Sequence, residues 1–390
     1  MISVAQALDA VLSLVAPLSV ENVPLRAANG RVLARALTAQ RTQPPFAASS
    51  MDGYALRRAE VEPDAMFKVV GESAAGHRYE GTLRAGQAVR IFTGAPVPQG
   101  ADFVVIQEDV TRHGDLITLG HKIGQKDNIR PAGGDFSAGD SLSAPRLLRP
   151  ADIALLAAMN HATIPVTRKP IVAILATGDE LVQPGEEPGP DQIIASNSYG
   201  LAAMLENAGA EARLLPIARD TEASLRQAFA LAKGADLIVT IGGASVGDHD
   251  LVAPVAAELG LEQSFYKVAM RPGKPLMAGK FGDAAMIGLP GNPVSAMVCG
   301  AVFVLPMVRR LLGLAETTVE ELEAPLGRDI GENGPRAHYM RANLQDGSIY
   351  PDDRQDSSLL SVLATADALM IRPPHDPARK AGDSQRYITL

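Results

Sequence analysis

The spacing of hydrophobic residues changes twice along the chain, and each change marks a different kind of structure. Between residues 3 and 16 apolar residues recur at helical spacing, which predicts an amphipathic helix that Pro17 ends. From about residue 20 to 150, short β-branched runs alternate with turn residues and indicate all-β structure. The clearest of these runs cover 67–70, 88–92, 103–106 and 115–119.

After residue 170 the pattern becomes one of apolar strands separated by helices. Three runs are apolar almost throughout, as expected of strands buried on both faces: 171–175, 237–241 and 284–288. A further strand is predicted at 214–217, and helices at 151–159, 198–208, 221–233, about 250–258 and 293–312. The alternation predicts a parallel sheet with crossover helices, and residues 319–390 return to a β-like pattern.

The amino-acid composition and the net charge exclude several classes of protein. The chain has 390 residues, 46% of them hydrophobic, which suits a folded protein of several domains. Its formal charge of −8 and its 4% aromatic content argue against a general nucleic-acid or membrane-surface binder. The single cysteine, Cys299, excludes a disulfide framework and a cysteine zinc site. The N-terminus lacks the pattern of a signal peptide, and we expect a cytoplasmic protein in which the apolar run 294–308 is a buried helix.

Three predicted strands end in loops whose residues suit ligand binding. Ligands of open α/β sheets bind beyond the carboxyl ends of the strands. Segment 176–181 offers Thr177, Gly178 and two acids, and a βα turn with capping acids has the same sequence. Segment 242–250 has three glycines and Ser245, which suit an anion, followed by two aspartates, which suit Mg²⁺. Segment 288–295 is a Pro-Gly-Asn-Pro turn whose helix N-terminus could face an anion.

A basic segment lies between the last two loops. Residues 267–280 contain four cations and no acid, in a chain whose net charge is negative. This local inversion of charge suggests an oxyanion or phosphate site, although a solvated β-hairpin has the same composition. In the N-terminal half, 49–55 and 93–102 have the composition of turns when taken alone.

Taken in order, these segments resemble the molybdopterin molybdenumtransferase (MoeA) family, which includes the E domain of gephyrin. The segments that carry the resemblance are 50–55, 93–95 with 100–102, 129–135, 177–181, 242–247, 267–275 and 288–296. The resemblance implies insertion of molybdenum from molybdate into adenylylated molybdopterin, with loss of AMP, in a Mg²⁺-dependent reaction. Because the attacking sulfurs belong to the pterin dithiolene, this chemistry needs no protein cysteine.

The resemblance also implies a multidomain α/β and β fold in an elongated homodimer. A three-layer αβα molybdopterin-binding domain is expected at 169–318 and a β-barrel-like domain at 319–390. An N-terminal elongated domain is expected from 1–19, 38–46 and 140–168, with a β-rich domain inserted from 20–37 and 47–139. The site is expected between the αβα domain of one subunit and N-terminal residues of the other. The molybdopterin-adenylylating enzyme is the expected partner.

Site residues follow from the resemblance position by position. Catalytic roles are implied for Asp52, Thr93, Asp135, Glu180, Asp220, Asp250, Lys267 and Arg271. Cofactor-binding roles are implied for Thr177, Gly178, Gly242, Gly243, Ser245, Gly247, Lys274, Pro290, Pro293, Ser357 and Ser358. Glu180 and Asp250 are the implied Mg²⁺ carboxylates, and Ser357 or Ser358 is expected to reach the pterin side.

Other functions remain open at this point. A molybdopterin adenylyltransferase shares the αβα domain, but it does not explain the N-terminal 170 residues or the C-terminal domain. A binding scaffold that retains the fold belongs to a different class, and the retained acids and Lys267 argue against a purely structural role. A generic nucleotide hydrolase is an analogy at the level of fold and explains none of the N-terminal motifs.

Overall fold

The computed structural model describes residues 1–243 and 251–390, and it begins with helix α1 (Val4–Ser13). Ser3 and Gln6 start this helix with a reciprocal capping box, in which each backbone N–H donates to the other residue's side chain. The apolar face of α1 packs into the core of the αβα unit described below. The grouping of 1–19 with 38–46 and 140–168 in one domain stays a prediction.

The chain up to residue 168 consists mainly of short strands. In order they are β1 (Val20–Pro24), β2 (Val32–Leu33), β3 (Leu37–Thr38), β4 (Ala48–Ser49), β5 (Gly53–Leu56), β6 (Met66–Ser73), β7 (Gln87–Ile91), β8 (Phe103–Ile106), β9 (Val110–His113), β10 (Leu116–Leu119), β11 (Ile129–Arg130), β12 (Ser141–Leu142) and β13 (Arg146–Leu147). Helix α2 (Pro150–Ala158) and strand β14 (Thr163–Thr167) complete this part. The strands predicted from residue 67 to 119 are all present, with small shifts at their ends.

The first of the N-terminal sheets joins segments that are distant in sequence. Its strand order is β1-β14-β2-β13, and β3 pairs separately with β12. Residues 20–37 therefore pair with 141–167, which corrects their expected place in the inserted β-rich domain. The reason is burial, because Leu33 belongs to one apolar core with Leu148, Leu156 and Ile164.

The second sheet is formed by β5 to β10, in the order β8-β5-β7-β6-β10-β9. Pairing is antiparallel except between β6 and β7, which are parallel and contain a register shift. Successive residues of β5 point to opposite sides of the sheet, and all four are buried, so both faces of this strand are covered. Tyr54 and Leu56 contribute to one core, and Ala55 contributes to the other.

The next part of the chain alternates strands and helices. Its strands are β15 (Ile171–Ala176), β16 (Leu181–Val182), β17 (Ile193–Ile194), β18 (Glu211–Leu214), β19 (Leu237–Ile241), β20 (Leu261–Tyr266), β21 (Met270–Arg271), β22 (Met277–Phe281) and β23 (Ala284–Leu289). Its helices are α3 (Asn197–Asn207), α4 (Glu222–Leu231), α5 (Val252–Glu258), α6 (Pro293–Cys299) and α7 (Leu305–Leu311), with a π-helical turn at Gly300–Val304 between the last two.

These elements form three layers around a sheet ordered β18-β15-β19-β23-β22-β20. Alternate residues of the central strands enter two apolar cores, one shared with α1, α3, α6 and α7 and the other with α4 and α5. The four strands from β18 to β23 are parallel, whereas β22 and β20 are antiparallel. The sheet is therefore mixed: the predicted parallel part with crossover helices is present, and two antiparallel strands extend it. The strand predicted at 214–217 lies earlier, at Glu211–Leu214.

The long apolar helix belongs to the protein core. Within the described residues, Pro293–Leu311 is the one helix long and apolar enough to be a candidate membrane span, but 78% of its 18-residue apolar window is buried inside the fold. The expectation of a buried helix at 294–308 is confirmed. Cys299 lies on this helix with no exposed surface, and burial raises the pKa of its thiol, so it is a core residue rather than a nucleophile.

The C-terminal part is a β unit that shares a strand with the αβα unit. It contains β24 (Leu322–Pro325), β25 (Ala337–Gln345), β26 (Ser348–Pro351), helix α8 (Leu360–Ala364), β27 (Ala368–Arg372) and β28 (Ser384–Thr389). The sheet order is β21-β25-β27-β28-β24, and β26 pairs with β25. Strand β21 comes from the basic segment, so this segment is held between the two units.

Candidate functional site

The carboxyl ends of β15, β19 and β23 lie side by side and bring the predicted loops together. Ile241 is in register with Ala176 on one side and with Leu289 on the other. The loops continue this pairing: Thr177 N–H donates to the Ile241 carbonyl at 3.0 Å, and Gly242 N–H donates to the Leu289 carbonyl at 3.1 Å. The structure thus places Thr177, Gly242 and the start of the Pro290 loop at one sheet edge.

Two of the predicted glycines have conformations that favour glycine. Gly178 has a φ of +146° and Gly242 a φ of +90°, and L-residues rarely adopt such values. A Cβ atom on Gly242 would also lie 2.8 Å from the Thr177 carbonyl oxygen. The backbones of the two loops therefore approach each other too closely for a side chain at Gly242.

Acidic residues surround this edge. Glu180 is exposed and folds back over Gly178, and its carboxylate has no hydrogen-bond or ion-pair partner within 1–243 and 251–390. Asp220 follows β18, where its backbone N–H donates to the Asp179 carboxylate at 3.4 Å. Gly243 lies beside Gly242 on the same loop. The predicted residues Ser245, Gly247 and Asp250 lie outside the described residues.

Among the residues that the structure describes, no cluster of three or more His, Cys, Asp or Glu could hold a metal ion. Asp250 lies outside the described residues, so the pairing of Glu180 with Asp250 as Mg²⁺ ligands stays a prediction. Exposed carboxylate oxygens are the ligand type that Mg²⁺ prefers, so Glu180 has the right chemistry for the role.

The basic segment lies along the same edge. Met277, at the start of β22, is in register with Gly288 near the end of β23, so residues 267–276 face the side where the parallel strands end. Lys267 has a φ of +73°, and its Nζ atom lies 5.0 Å from the centre of the Tyr266 ring. Arg271 and Lys274 are both exposed. The predicted cations are therefore next to the strand-end loops.

The C-terminal unit contributes a serine loop to this edge. The Val294 N–H, at the start of α6, donates to the Ser357 carbonyl at 3.0 Å, and the Asn292 side chain donates to the Ser357 hydroxyl at 3.1 Å. The Val294 N–H at this helix N-terminus is thus bonded to the C-terminal unit, and the expectation that the N-terminus faces an anion stays a prediction. Ser358 instead donates its N–H and hydroxyl to Asp356, and these bonds lower the pKa of that carboxyl. Ser357 is therefore the serine at the sheet edge.

A cluster of basic residues, some of them buried, lies where β21 pairs with β25, and apart from the exposed Arg271 its members are not among the predicted site residues. Arg271 is in register with His338. Arg341 has no exposed surface; its Nη2 donates to the carbonyls of Arg354 and Asp356, at 2.9 Å each, while its Nε and Nη1 lack partners. A buried donor without a partner costs about 1–3 kcal/mol, so an anion that accepts these bonds would be stabilised here. The signal in the sequence is three basic residues at 336, 338 and 341 in a strand pattern.

The N-terminal candidates form a separate arrangement. The Asp52 carboxylate accepts bonds from the Thr93 N–H at 2.7 Å and the Thr93 hydroxyl at 2.8 Å. These two bonds, with a smaller contribution from Arg90, hold the pKa of Asp52 below its usual value. Asp135 lies on a loop, and its N–H donates to the Gln43 carbonyl. Within the described residues, no hydrogen bond or ion pair joins Asp52, Thr93 or Asp135 to the αβα unit of the same chain.

Models of known protein families match most of the chain. Family models match three successive regions: the MoeA N-terminal region (domain I and II) at 2–160, a probable molybdopterin binding domain at 173–310, and the MoeA C-terminal region (domain IV) at 323–390.

Curated relatives and solved structures agree with these matches. The molybdopterin molybdenumtransferase of Nostoc sp. is 38% identical over 370 residues, which cover 90% of this chain and 85% of the relative. The enzyme of the same name from Haemophilus influenzae is 37% identical over 300 residues, or 76% of this chain and 74% of the relative. The crystal structure of the molybdopterin biosynthesis moeA protein from Pyrococcus horikoshii OT3 is similar over the full length of both chains, with 26% identity and a TM-score of 0.86. The predicted fold class is confirmed.

Proposed function

Because the chain belongs to the molybdopterin molybdenumtransferase (MoeA) family, we propose that it inserts molybdenum from molybdate into adenylylated molybdopterin and releases AMP. Family membership makes it an enzyme of molybdenum cofactor biosynthesis, which confirms the predicted enzyme class. The steps of the reaction, its dependence on Mg²⁺ and its place in the cytoplasm belong to the proposal.

The observation that carries this proposal is the single sheet edge shared by glycine-rich loops and cations. The loops at Gly178 and Gly242 allow close backbone approach, which suits the phosphates of the adenylylated substrate. Lys267, Arg271 and Lys274 supply positive charge beside them. An anionic nucleotide and an oxyanion can therefore be held next to each other in a chain that is acidic overall.

Each group at the edge has a distinct task in this proposal. Glu180, together with Asp250, would hold Mg²⁺, which when bound neutralises the charge of the pyrophosphate. Thr177 and Gly242 hold the phosphate side, and Pro290 contributes a rigid wall. We place molybdate at the junction of β21 and β25, where Arg271 and the unpaired donors of Arg341 lie.

The N-terminal residues fit the site best if a second subunit supplies them. Asp52 and Thr93 are hydrogen-bonded to each other, yet within the described residues neither forms a hydrogen bond or ion pair with the αβα unit of its own chain. An apolar groove of about 840 Å³ offers a surface for a second copy, and its residues Leu147 and Leu390 are half exposed. Exposed apolar patches often mark protein interfaces. We therefore propose a homodimer with a shared site, and the molybdopterin-adenylylating enzyme as the supplier of substrate.

The test is AMP release from adenylylated molybdopterin with Mg²⁺, with and without molybdate. We expect molybdate-dependent release by the wild-type protein. Glu180→Gln should abolish turnover while substrate binding remains measurable, because it removes a carboxylate charge without changing the size of the side chain. Glu187→Gln is the matched control, since Glu187 is exposed in a nearby loop and should leave activity unchanged.

Three outcomes would change the proposal. Full activity of Glu180→Gln would exclude the role assigned to Glu180. Production of adenylylated molybdopterin from ATP and molybdopterin would favour the adenylyltransferase alternative. Tight nucleotide binding without any AMP release would favour a binding scaffold.

A further inference from the structure

His338 has a buried imidazole, and one of its ring nitrogens lacks a hydrogen-bond partner. It lies in the cluster of basic residues where β21 pairs with β25, which we call the cationic junction. It lies on β25 between two paired strands, in register with Arg271 of β21 on one side and with Arg372 of β27 on the other. Only 7% of its surface is exposed, and its Nε2 atom has no hydrogen-bond partner. A buried ring nitrogen without a partner is costly and calls for an explanation.

The charges around His338 come from every strand packed against it. Arg271 approaches from β21, Arg341 from β25 itself, Arg336 from the turn before β25, and Arg372 from β27. Burial, followed by these four guanidinium groups, lowers the pKa of His338 to about 4. The imidazole is therefore neutral at neutral pH, because a fifth positive charge would be repelled.

The acidic groups nearby neutralise only part of this charge. Arg372 forms a buried ion pair with Asp376. Asp356 and Asp352 act on Arg341, yet Nε and Nη1 of Arg341 remain without acceptors. The Arg271 side chain is exposed and forms no hydrogen bond or ion pair with the residues that the structure describes. The junction thus has unpaired positive charge next to a neutral imidazole.

We propose that His338 takes up a proton when a tetrahedral oxyanion enters the junction formed by Arg271, His338 and Arg341. This inference rests on the proposed function, which places molybdate there. An anion bound beside the imidazole reverses the electrostatic balance, because its negative charge stabilises the imidazolium and offsets the repulsion from the guanidinium groups. His338 then donates from both ring nitrogens, so its unsatisfied Nε2 gains an acceptor.

Proton uptake has a measurable consequence for affinity. If His338 is neutral in the free protein and protonated in the complex, anion binding weakens as the pH rises through the pKa of the complex. When one proton is taken up, the affinity for the anion falls by at most about tenfold for each unit by which the pH rises. Such coupling also suits the chemistry, since an oxide ligand leaves a metal as water only after it gains protons.

The experiment is calorimetry of molybdate binding to the full-length protein at neutral pH in Bis-Tris and in Tris. These buffers differ in ionisation enthalpy, so the difference in binding heat reports the protons taken up. We expect uptake of a substantial fraction of one proton by the wild-type protein. His338→Gln should bind molybdate with no uptake, because the amide can hydrogen-bond but cannot titrate. His113→Gln, an exposed histidine of β9, is the control and should match the wild type.

A second measurement keeps the inference testable if His338→Gln fails to fold. In the wild-type protein, histidine side-chain NMR should show one buried imidazole change from neutral to protonated when molybdate is added. Molybdate binding by the wild type without proton uptake overturns the inference, and so does uptake that persists in His338→Gln. If wild-type protein shows molybdate-dependent AMP release but no uptake, the proposed function stands and the role of His338 falls. If it shows neither molybdate binding nor AMP release, both are overturned.

Discussion

Asp376→Asn tests the buried ion pair that holds β27 beside the cationic junction. The side chains of Arg372 and Asp376 are each only 3% exposed, and the Asp376 carboxylate also accepts two bonds from Arg379, at 2.6 and 3.2 Å. Burial alone would raise the pKa of Asp376, but the bonds from Arg379 and Arg372 outweigh it and hold that pKa below its usual value. The carboxylate is therefore charged in the folded protein at neutral pH.

The expected loss of stability in Asp376→Asn follows from the buried charge of Arg372, which the substitution leaves without a counter-ion. An Asn side chain fits the same space, but Arg372 then keeps a buried positive charge without its counter-ion. Removing one partner of a buried ion pair costs about 3–5 kcal/mol. The control is Asp329→Asn in the same unit, because Asp329 pairs with Lys380 at 2.7 Å at a surface where both side chains are more than half exposed. Exposed pairs contribute little, so this variant should remain close to wild type.

Hydrogen exchange of the intact chain, followed on peptides that cover β27 and β28, measures the effect locally. Exchange reports the free energy of local opening, so a chain of several domains does not have to unfold in one step. The contribution of Asp376 should be complete above the ordinary carboxyl pKa and be lost as the pH falls through its lowered folded-state value. Equal protection in the two variants at neutral pH would refute the assignment of a structural ion pair.

Two further predictions concern the candidate site. Gly242→Ala should reduce the affinity for AMP at least about tenfold, because its Cβ would lie 2.8 Å from the Thr177 carbonyl oxygen at a positive φ. Gly234→Ala is the control, since its φ is +83° with no atom within 4 Å, and unchanged AMP affinity in Gly242→Ala would contradict the role of that loop. Thr93→Val removes a hydrogen bond that lowers the pKa of Asp52, so the acidic limb of the pH profile of AMP release should move to higher pH. An unmoved profile would show that Asp52 does not control that limb.

The sheet edge could be predicted because its signals are local. Continuous apolar runs at 171–175, 237–241 and 284–288 indicate strands buried on both faces, and the loop after each run must lie at one end of a parallel sheet. The antiparallel edge strand β20 gave no such signal, since Leu261–Tyr266 contains three exposed polar residues in a row, Glu262, Gln263 and Ser264. An edge strand has one polar face, and a pattern of this kind is hard to distinguish from a loop.

Contacts between distant segments could not be predicted from the residues alone. Residues 20–37 pair with strands more than a hundred positions away, and nothing in their own pattern identifies that partner. Thr93 looks like a turn residue until Asp52 is found to accept its two hydrogen bonds. Arg341 is also misleading in sequence, because an arginine in a strand is usually exposed, whereas here it has no exposed surface.

The cationic junction is built by two units of the chain, as their backbone hydrogen bonds show. Strand β21 leaves the αβα unit and pairs with β25, so Arg271 is held in place by the C-terminal sheet. In return, Ser357 of the C-terminal unit accepts the first free N–H of α6 beside the strand-end loops. Each unit therefore completes backbone hydrogen bonds of the other. In the proposed function the glycine loops and Arg271 come from the αβα unit, whereas Arg341 comes from the C-terminal unit, so the junction brings the nucleotide side and the oxyanion side together.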